Sequence, residues 1–240
     1  MGKTLKIGYI IADDMEIKPV AEYMKSSGAV VDTLYKRPTY TLCKTAGDRT
    51  VELTVAYSGI GKVNAAMTAT ALADRGTEIL ISSGFSGGMT DLDGVKAVLG
   101  NKFVEHDFNM TVLGYKPSQK PGQDIYVFDG DSVLNRLYAE HSGNTVCGTL
   151  VTGDCFVSDT AKRDFCVSTF GAVACDMETA AIASVAYYTD LRFAAIRFVS
   201  DSADESAKDS YRATNESEQT NKFIGIADWI LSLTDDDELW

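Results

Sequence analysis

The chain has 240 residues, of which 45% are hydrophobic and 23% charged, and its formal net charge is −12. A chain of this length and composition can bury a core large enough to fold without disulfides or a structural metal. The negative charge repels phosphate backbones and anionic lipid headgroups, so nucleic acids and membrane surfaces are not expected partners.

The cysteines, histidines and apolar runs predict a cytoplasmic protein with free thiols and no bound metal. The five cysteines are odd in number and lack Cys-x-x-Cys spacing, which is typical of a reducing compartment. Only two histidines are present, so a zinc site or a catalytic histidine has few possible places. The N-terminus lacks a signal-peptide pattern, and no apolar run reaches the roughly 18 residues of a membrane span.

Short apolar or β-branched runs alternate with helical patterns. In chain order the sequence predicts strand 5–12, helix 17–26, strands 29–35, 40–45 and 51–57, helix 62–74, strand 78–82, strand pieces 96–99 and 103–106, helix 132–141, strand 145–152, helix 160–170, strand 172–175, helix 178–188, strand 193–200 and helix 215–233. This alternation is typical of an α/β fold with a mixed or mostly parallel central sheet. No linker or repeat interrupts it, so we expect a single domain over residues 1–240, with an acidic tail at about 235–240 that frays.

Acidic side chains stand where three of the predicted strands end. They are, in chain order, Asp13, Asp14 and Glu16, then Asp176 and Glu178, then Asp201. Ligands of open α/β sheets bind beyond the carboxyl ends of the strands, so a shared edge would bring these carboxylates into one cleft. Clustered carboxylates raise at least one pKa among them, which suits general acid–base catalysis. The alternative is that each acid only caps the helix that follows it.

Seven short motifs stand in order between residues 6 and 204. They are KIG at 6–8 leading to Glu16, SGIGKVNAA at 58–66, SGFSGG at 83–88, HD at 106–107 followed by GY at 114–115, TGDCFV at 152–157, DMETAA at 176–181 and RFVSDSAD at 197–204. Their order and spacing resemble those of the 5'-methylthioadenosine/S-adenosylhomocysteine nucleosidases, in the nucleoside phosphorylase superfamily. The resemblance implies a three-layer sandwich with a mixed, mostly parallel central sheet flanked by helices.

The resemblance also implies roles for individual residues. Glu16 matches the acid that positions and deprotonates the attacking water, Asp201 the general acid that protonates the purine at N7, and Glu178 the carboxylate that binds the ribose hydroxyls. The other matched positions bind substrate: Met177 beneath the sugar, Phe156 against the purine, the backbone of Val157 at its edge, Ile60, Met110, Leu113 and Tyr211 around the ribose and the 5'-substituent, and Phe85 and Ser200 elsewhere in the same site.

The chemistry of ribosyl transfer supports these roles independently. The sugar becomes cation-like in the transition state, so a protonated leaving base and nearby anionic groups lower the barrier. Asp201 must then hold a proton near neutral pH, which requires burial or a hydrogen bond that favours the neutral form. The implied function is metal-free and cofactor-free hydrolysis that releases adenine from 5'-methylthioadenosine or S-adenosylhomocysteine. The implied assembly is a homodimer in which loop 110–115 completes the neighbour's pocket.

Departures from the family pattern leave the substrate open. Asp13 and Phe85 stand where the family commonly has methionine and serine, and Asn109 and Met110 also differ. Related nucleosidases act on futalosine or other nucleosides. A phosphorylase is the nearest alternative, but it would need arginines around a phosphate dianion, and none follows strand 78–82. A nucleoside-binding protein without turnover is the third alternative, and the three acids together argue against it.

Other motifs carry weaker hypotheses. Residues 84–88 match the G-x-S-x-G elbow of serine hydrolases, but the following glycines predict a loop instead of the helix that the elbow requires. His141 is the one histidine late enough to serve such a triad. The Gly59-Ile60-Gly61 segment lacks the third glycine of a dinucleotide fingerprint, because Asn64 occupies that position.

Overall fold

The computed structural model describes residues 2–213 and 216–240. The strands within these ranges are β1 (Lys3–Ile11), β2 (Val30–Leu34), β3 (Arg37–Ala46), β4 (Arg49–Tyr57), β5 (Ile79–Gly88), β6 (Ala97–Glu105), β7 (Val127–Asp129), β8 (Thr145–Thr152), β9 (Ala172–Asp176) and β10 (Arg192–Asp201). The helices are α1 (Asp14–Ser26), α2 (Lys62–Asp74), α3 (Ser132–Ser142), α4 (Thr160–Phe170), α5 (Thr179–Tyr188), α6 (Ala207–Ala213) and α7 (Glu216–Ser232). Short 3₁₀ turns cover Thr111–Leu113, Leu233–Asp235 and Asp237–Leu239. None of the described helices combines the length and apolarity needed to cross a membrane.

The strands form one mixed sheet. β1 lies parallel between β4 and β5, and β10 runs parallel to β5. β3 and β2 extend the sheet beyond β4 as antiparallel strands. On the other side, β6, β8 and β9 run parallel to one another and antiparallel to β10 and β5. This arrangement confirms the predicted α/β fold with a mixed central sheet.

Alternate side chains of β1 reach two different cores, as the twofold period of a strand requires. Tyr9 and Ile11 belong to the core beneath α1 and α7, whereas Ile10 belongs to the core beneath α2 and α5. α1 packs against α7, and α2 packs against α5. The sheet therefore lies between two helical layers, which confirms the three-layer prediction and explains the continuous apolar run of β1.

The sheet also closes on itself, which the sequence did not predict. β10 pairs with both β5 and β6, so β5, β10, β6, β8 and β9 form a closed ring of strands. β10 occupies one edge of β5 along its length. On the other edge, β1 pairs only as far as Ser83, and β9 joins only at Gly87 and Gly88. Residues 84–86 therefore have no strand partner on that edge, and a gap opens in the sheet.

Several element boundaries differ from the predictions. The two strand pieces 96–99 and 103–106 form one strand, β6, with a bulge between Gly100 and Lys102. The short elements β7 and α6 were not predicted, because three to seven residues carry too little periodicity to identify. The predicted helix 215–233 corresponds to α7, and its first residue, Asn215, lies outside the described residues.

The acidic tail, for which the sequence predicts a frayed end, contacts the body of the protein. The indole N–H of Trp240 donates to the backbone carbonyl of Leu233 at 3.1 Å, and Lys3 Nζ donates to the carbonyl of Trp240 at 3.1 Å. A guanidinium N–H of Arg136 donates to Glu238 at 2.6 Å. The tail carries an aromatic anchor as well as charge, and these contacts hold it against the body of the protein.

Candidate active site

A cavity of about 220 Å³ lies at the gap in the sheet. Its walls come from β5, from the ends of β1, β9 and β10, from the loops after β4 and β8, and from α6. The lining residues are Ala12, Asp13, Glu16, Ile60, Gly84, Phe85, Ser86, Gly87, Cys155, Phe156, Val157, Cys175, Asp176, Met177, Glu178, Ser200, Asp201 and Tyr211. Every site residue named from the sequence is among them except Met110 and Leu113.

Glu16 lies in the first turn of α1 and is buried against the gap. Its Oε1 accepts the backbone N–H of Phe85 at 2.7 Å, and this N–H belongs to the stretch of β5 that has no strand partner. Burial raises the pKa of Glu16 to about 8, although the Phe85 N–H lowers it. Near neutral pH the carboxyl group is therefore partly protonated, and a positive charge that develops nearby favours its ionised form, which can act as a base.

Arg197 is fully buried in β10 and links the acids beneath the cavity. Its Nε donates to Asp176 at 2.9 Å, and Nη2 lies 3.8 Å from Glu178. Burial alone would raise the pKa of Asp176, but Arg197 and two threonine hydroxyls outweigh burial and hold that pKa below its usual range. Asp176 is therefore ionised and fixes the guanidinium.

One nitrogen of this guanidinium, Nη1, is buried without a hydrogen-bond partner in the described part of the chain. A Cβ atom on Gly84 would lie 3.0 Å from Nη1 and 3.2 Å from both carboxyl oxygens of Glu16. The donor and the acid thus border the same small space, and glycine at position 84 keeps that space open. A donor and an acid around one small space can together orient a water molecule.

Glu178 lies at the start of α5, beside the buried ion pair. Its Oε1 accepts the backbone N–H of Gly61 at 2.9 Å. Burial, followed by the negative charge of Asp176, raises the pKa of Glu178 to about 7. Glu178 occupies the N-cap position of α5 without a capping bond from its side chain, and Asp176 Oδ1 instead accepts the N–H groups of Glu178 and Thr179 at 3.1 Å. The capping alternative therefore holds for Asp176, and it leaves Glu178 to the cavity.

Asp201 reaches the cavity across a glycine of β5. In the register, Gly87 pairs with Asp201 on one edge and with Cys175 on the other. A Cβ atom on Gly87 would lie 3.0 Å from both Asp201 Oδ1 and Cys175 Sγ, so only glycine lets the ends of β9 and β10 approach this closely. The three acidic strand ends meet at one cavity, although β9 is antiparallel to β5 and reaches it through the closure of the sheet.

Opposing effects act on the pKa of Asp201, and their sum raises it. Burial raises the pKa of this carboxyl group, and hydrogen bonds from Ser200 and Ala203 oppose that effect. The Ser200 hydroxyl donates to Oδ2 at 2.8 Å, and the Ala203 N–H donates to Oδ1 at 2.9 Å. These two bonds fix the plane of the carboxyl group, which is the property a directed proton donor needs.

Aromatic side chains form the wall next to Asp201. Phe156, which follows β8, remains 48% exposed. The ring of Tyr211 packs edge-on against it, with 5.9 Å between the ring centroids. The rings of Phe85 and Tyr211 also pack edge-on, with 6.4 Å between their centroids. Val157 is buried beside them, and Met177 lines the floor next to Glu178. An exposed aromatic face beside a proton donor suits a flat heteroaromatic base.

Comparison with known proteins agrees with this geometry. A profile of the phosphorylase superfamily matches residues 6–228. The 5'-methylthioadenosine/S-adenosylhomocysteine nucleosidase of Listeria welshimeri is 34% identical over 171 residues, which are 67% of this chain and 73% of the relative. The chain belongs to this nucleosidase family, within the phosphorylase superfamily. The resemblance inferred from the ordered motifs is confirmed.

Two further relatives show how far the family extends. The aminodeoxyfutalosine nucleosidase of Campylobacter jejuni is 30% identical over 210 residues, which are 85% of this chain and 89% of the relative. A crystal structure of a mutant Helicobacter pylori nucleosidase with 5'-methylthioadenosine in its active site superposes with a TM-score of 0.83 at 25% identity. That superposition covers 96% of this chain and 99% of the other.

Met110 and Leu113 do not line the cavity of this nucleosidase-family chain. They lie at the 3₁₀ turn Thr111–Leu113, where the Leu113 side chain is 66% exposed and that of Val112 is 91% exposed. Within one chain the two predicted contacts are therefore absent among the described residues. Apolar side chains this exposed are typical of a surface that meets another molecule.

The hydrolase-elbow alternative does not fit this member of the family. Ser86 lies within β5, and that strand leads into a loop instead of a helix. Neither histidine lines the cavity. Among the described residues, no group of three or more His, Cys, Asp and Glu side chains is arranged to hold a metal ion.

Sequence reasoning did not assign a function to Arg197. The available signal was a single arginine within an otherwise apolar strand, residues 193–199, that was predicted to be buried. A charged side chain in such a strand requires a buried partner, and the acids at the strand ends were the candidates.

Proposed function

We propose that the protein hydrolyses the N-glycosidic bond of a 5'-substituted adenine nucleoside, 5'-methylthioadenosine or S-adenosylhomocysteine, and releases adenine. The observation that carries this proposal is that Glu16, Glu178 and Asp201 line one cavity beside an exposed aromatic face. The names of the relatives support the same reaction class, and the Campylobacter relative makes aminodeoxyfutalosine the second candidate substrate.

The purine lies against Phe156, with the backbone of Val157 at its edge. Asp201 donates its proton to N7, and the adenine leaves as a neutral molecule. The raised pKa of Asp201 supports this role, because a carboxyl group of ordinary pKa would be ionised at neutral pH. Ser200 holds the carboxyl plane in position.

The ribose lies above Met177, with its hydroxyls bound to Glu178. Two features of the Glu178 environment support this role: it lines the cavity as a buried side chain, and the bond from Gly61 occupies only its Oε1 atom. Negative charge on this side of the sugar also stabilises the cation-like transition state.

The ionised form of Glu16 accepts the proton of the attacking water as the C–N bond breaks. The positive charge that develops on the sugar favours the ionised form of Glu16, which offsets the effect of burial. Arg197 Nη1, without a partner in the described ranges, borders the same space and donates to the water oxygen. Acid and base then lie on opposite sides of the scissile bond, the arrangement of an inverting glycosidase.

Water, and not phosphate, is the nucleophile in this proposal. A phosphate dianion at the position of this water would lie against the Glu16 carboxyl group, and the adjacent Arg197 guanidinium is already paired with Asp176 and lies 3.8 Å from Glu178, so the dianion would lack a counter-charge of its own. The test is adenine release from 5'-methylthioadenosine with and without phosphate. Release in phosphate-free buffer is expected, and a strict requirement for phosphate would refute hydrolysis. Aminodeoxyfutalosine, futalosine and unmodified adenosine complete the substrate panel.

The proposal includes a cytoplasmic homodimer. The exposed Leu113 and Val112 support an interface at the 3₁₀ turn, where burial of both side chains would stabilise association. In such a dimer, residues 110–115 of one protomer border the 5' end of the neighbour's cavity. Met110 and Leu113 would then contact substrate across the interface instead of within their own chain.

A further inference from the structure

Asp13 places a carboxylate on the cavity wall that the proposed reaction does not use. It immediately precedes α1, and its Oδ1 accepts the backbone N–H of Met15 at 2.7 Å, which caps the helix. Its other oxygen, Oδ2, accepts no hydrogen bond from the described residues. Asparagine or serine caps a helix as well as aspartate does. Capping therefore explains one oxygen and leaves the negative charge unexplained.

Among the described residues, the Asp13 carboxylate belongs to no ion pair. No lysine or arginine within residues 2–213 and 216–240 forms a salt bridge with it, and Arg197 is engaged with Asp176 and Glu178 instead. Asp13 is half-buried on the cavity wall. A cationic ligand group at this wall would give its carboxylate an ion-pair partner.

The position of Asp13 on the wall follows from the proposed function, on which this step rests. Asp201 marks the base, Glu178 the sugar hydroxyls and Glu16 the attacking water. The wall that remains for the 5'-substituent includes Asp13 and Tyr211. Burial raises the pKa of Tyr211 to about 12, and the charge of Asp13 adds to this effect, so the two side chains lie close enough to interact.

We infer that Asp13 is a specificity-determining residue that selects nucleosides whose 5'-substituent carries an ammonium group. The Oδ2 atom accepts a charge-assisted hydrogen bond from the ammonium, and the two charges neutralise each other. An apolar 5'-group would desolvate Oδ2 further without giving it a partner. Of the two nucleosides proposed above, S-adenosylhomocysteine carries such an ammonium group on its amino-acid portion and 5'-methylthioadenosine does not.

A matched pair of substrates isolates this interaction. 5'-Amino-5'-deoxyadenosine carries an ammonium where 5'-deoxyadenosine carries hydrogen, and the two are otherwise identical. The wild-type protein should favour the amino compound in kcat/KM. Asp13→Asn keeps the helix cap and removes the charge, so it should reduce the ratio of the two kcat/KM values about tenfold or more, as expected for loss of a hydrogen bond between charged groups.

Asp14→Asn is the control, because Asp14 is the exposed neighbour of Asp13 and does not line the cavity. This variant makes the same change in charge and should leave the substrate ratio within about twofold. If both proteins cleave 5'-deoxyadenosine and the ratio of the two kcat/KM values is the same in wild type and in Asp13→Asn, the inference is overturned. If no nucleoside is cleaved, the proposed function fails. The role of Asp13 is then tested separately by calorimetry, which measures the dissociation constants of 5'-amino-5'-deoxyadenosine and 5'-deoxyadenosine in wild type and Asp13→Asn.

Discussion

The carboxyl group of Glu16 accepts the backbone N–H of Phe85 at 2.7 Å, at the stretch of β5 that β1 has left and β9 has not yet joined. An unpaired N–H inside a sheet is costly, and this acid satisfies it. The gap between β1 and β9 therefore creates the cavity and also supplies the donor that orients Glu16. Because the bond is made by the backbone, it tolerates any side chain at position 85, including the phenylalanine found in this chain.

Burial of Glu16 makes the stability of the protein depend on pH. Its pKa rises from 4.5 in the unfolded chain to about 8 in the folded one, so its contribution to stability is complete below pH 4.5 and is lost as pH rises through 8. Glutamine is neutral throughout and keeps an oxygen for the Phe85 N–H. We expect Glu16→Gln to be more stable than wild type at pH 8.5, by about 2–4 kcal/mol, and nearly equal at pH 5. Urea denaturation at the two pH values measures this difference.

Glu22→Gln provides the control for that measurement. Glu22 lies on the same helix and is exposed, so the same loss of charge should change stability by less than about 0.5 kcal/mol at both pH values. A Glu16→Gln difference that is identical at pH 5 and pH 8.5 would show that Glu16 does not titrate in this range.

Replacement of Asp201 by asparagine should separate proton donation from binding. The amide can still accept the Ala203 N–H but has no acidic proton, so turnover of an adenine nucleoside should fall about 10²- to 10⁴-fold. A ribosyl substrate with a nitrophenolate leaving group needs no protonation and should lose far less. Steady-state kinetics on both substrates measure the contrast. Equal losses on the two substrates would assign Asp201 a structural function instead.

Glu178→Gln should weaken both substrate binding and turnover. The neutral amide loses the charge-assisted hydrogen bonds to the ribose hydroxyls and the negative charge beneath the developing cation. We expect KM to rise and kcat to fall, with kcat/KM about 10²-fold lower. A 2'-deoxy substrate has one hydroxyl fewer and should lose less on the same replacement. Kinetics identical to wild type on both substrates would remove Glu178 from the ribose site.

Much of the site follows from local sequence signals. The acids at the ends of β1 and β10 could be placed together because both strands are parallel neighbours of β5, and parallel neighbours end at one edge. The aromatic and apolar lining came from the resemblance in ordered motifs. The family and the three-layer architecture were likewise accessible from the sequence.

The remaining features depend on long-range contacts that leave no local pattern. The approach of β9 depends on closure of the sheet at Gly87, and an antiparallel pair of two residues carries no periodicity. The partnership of Arg197 with Asp176 joins β10 to the end of β9. The contacts expected of Met110 and Leu113 could not be located within one chain, because the residues that would meet them belong to a second molecule in the proposed dimer.

Gly84 keeps open the space shared by Arg197 and Glu16, so Gly84→Ala should impair catalysis more than folding. The new Cβ would lie 3.0 Å from Arg197 Nη1 and 3.2 Å from both Glu16 oxygens, and displaced catalytic groups typically cost up to about 10²-fold in rate. We expect kcat to fall at least about tenfold, with a stability loss of about 1–3 kcal/mol from overpacking. Gly225→Ala, in α7 with nothing within 4 Å of its new Cβ, should leave kcat unchanged. Comparable kcat in the two variants would contradict the shared space.

Leu113→Asp should dissociate the proposed dimer and reduce activity together. A carboxylate in an apolar interface is desolvated without a partner, which disfavours association. The wild-type protein should sediment as a dimer, and the variant should sediment as a monomer with a raised KM for 5'-methylthioadenosine, because the 5' end of each cavity loses its border.

Tyr35→Asp makes the same kind of change at an exposed position on the turn between β2 and β3. Its backbone φ of 47° suits aspartate, and this variant should remain a dimer of normal activity. The wild type could instead sediment as a monomer and cleave the nucleoside with the same KM as Leu113→Asp. That result would show that the chain completes its own pocket and that Leu113 is not part of the pocket. If both variants dissociate, the interface includes the β2 edge as well, and the assignment to residues 110–115 alone is wrong.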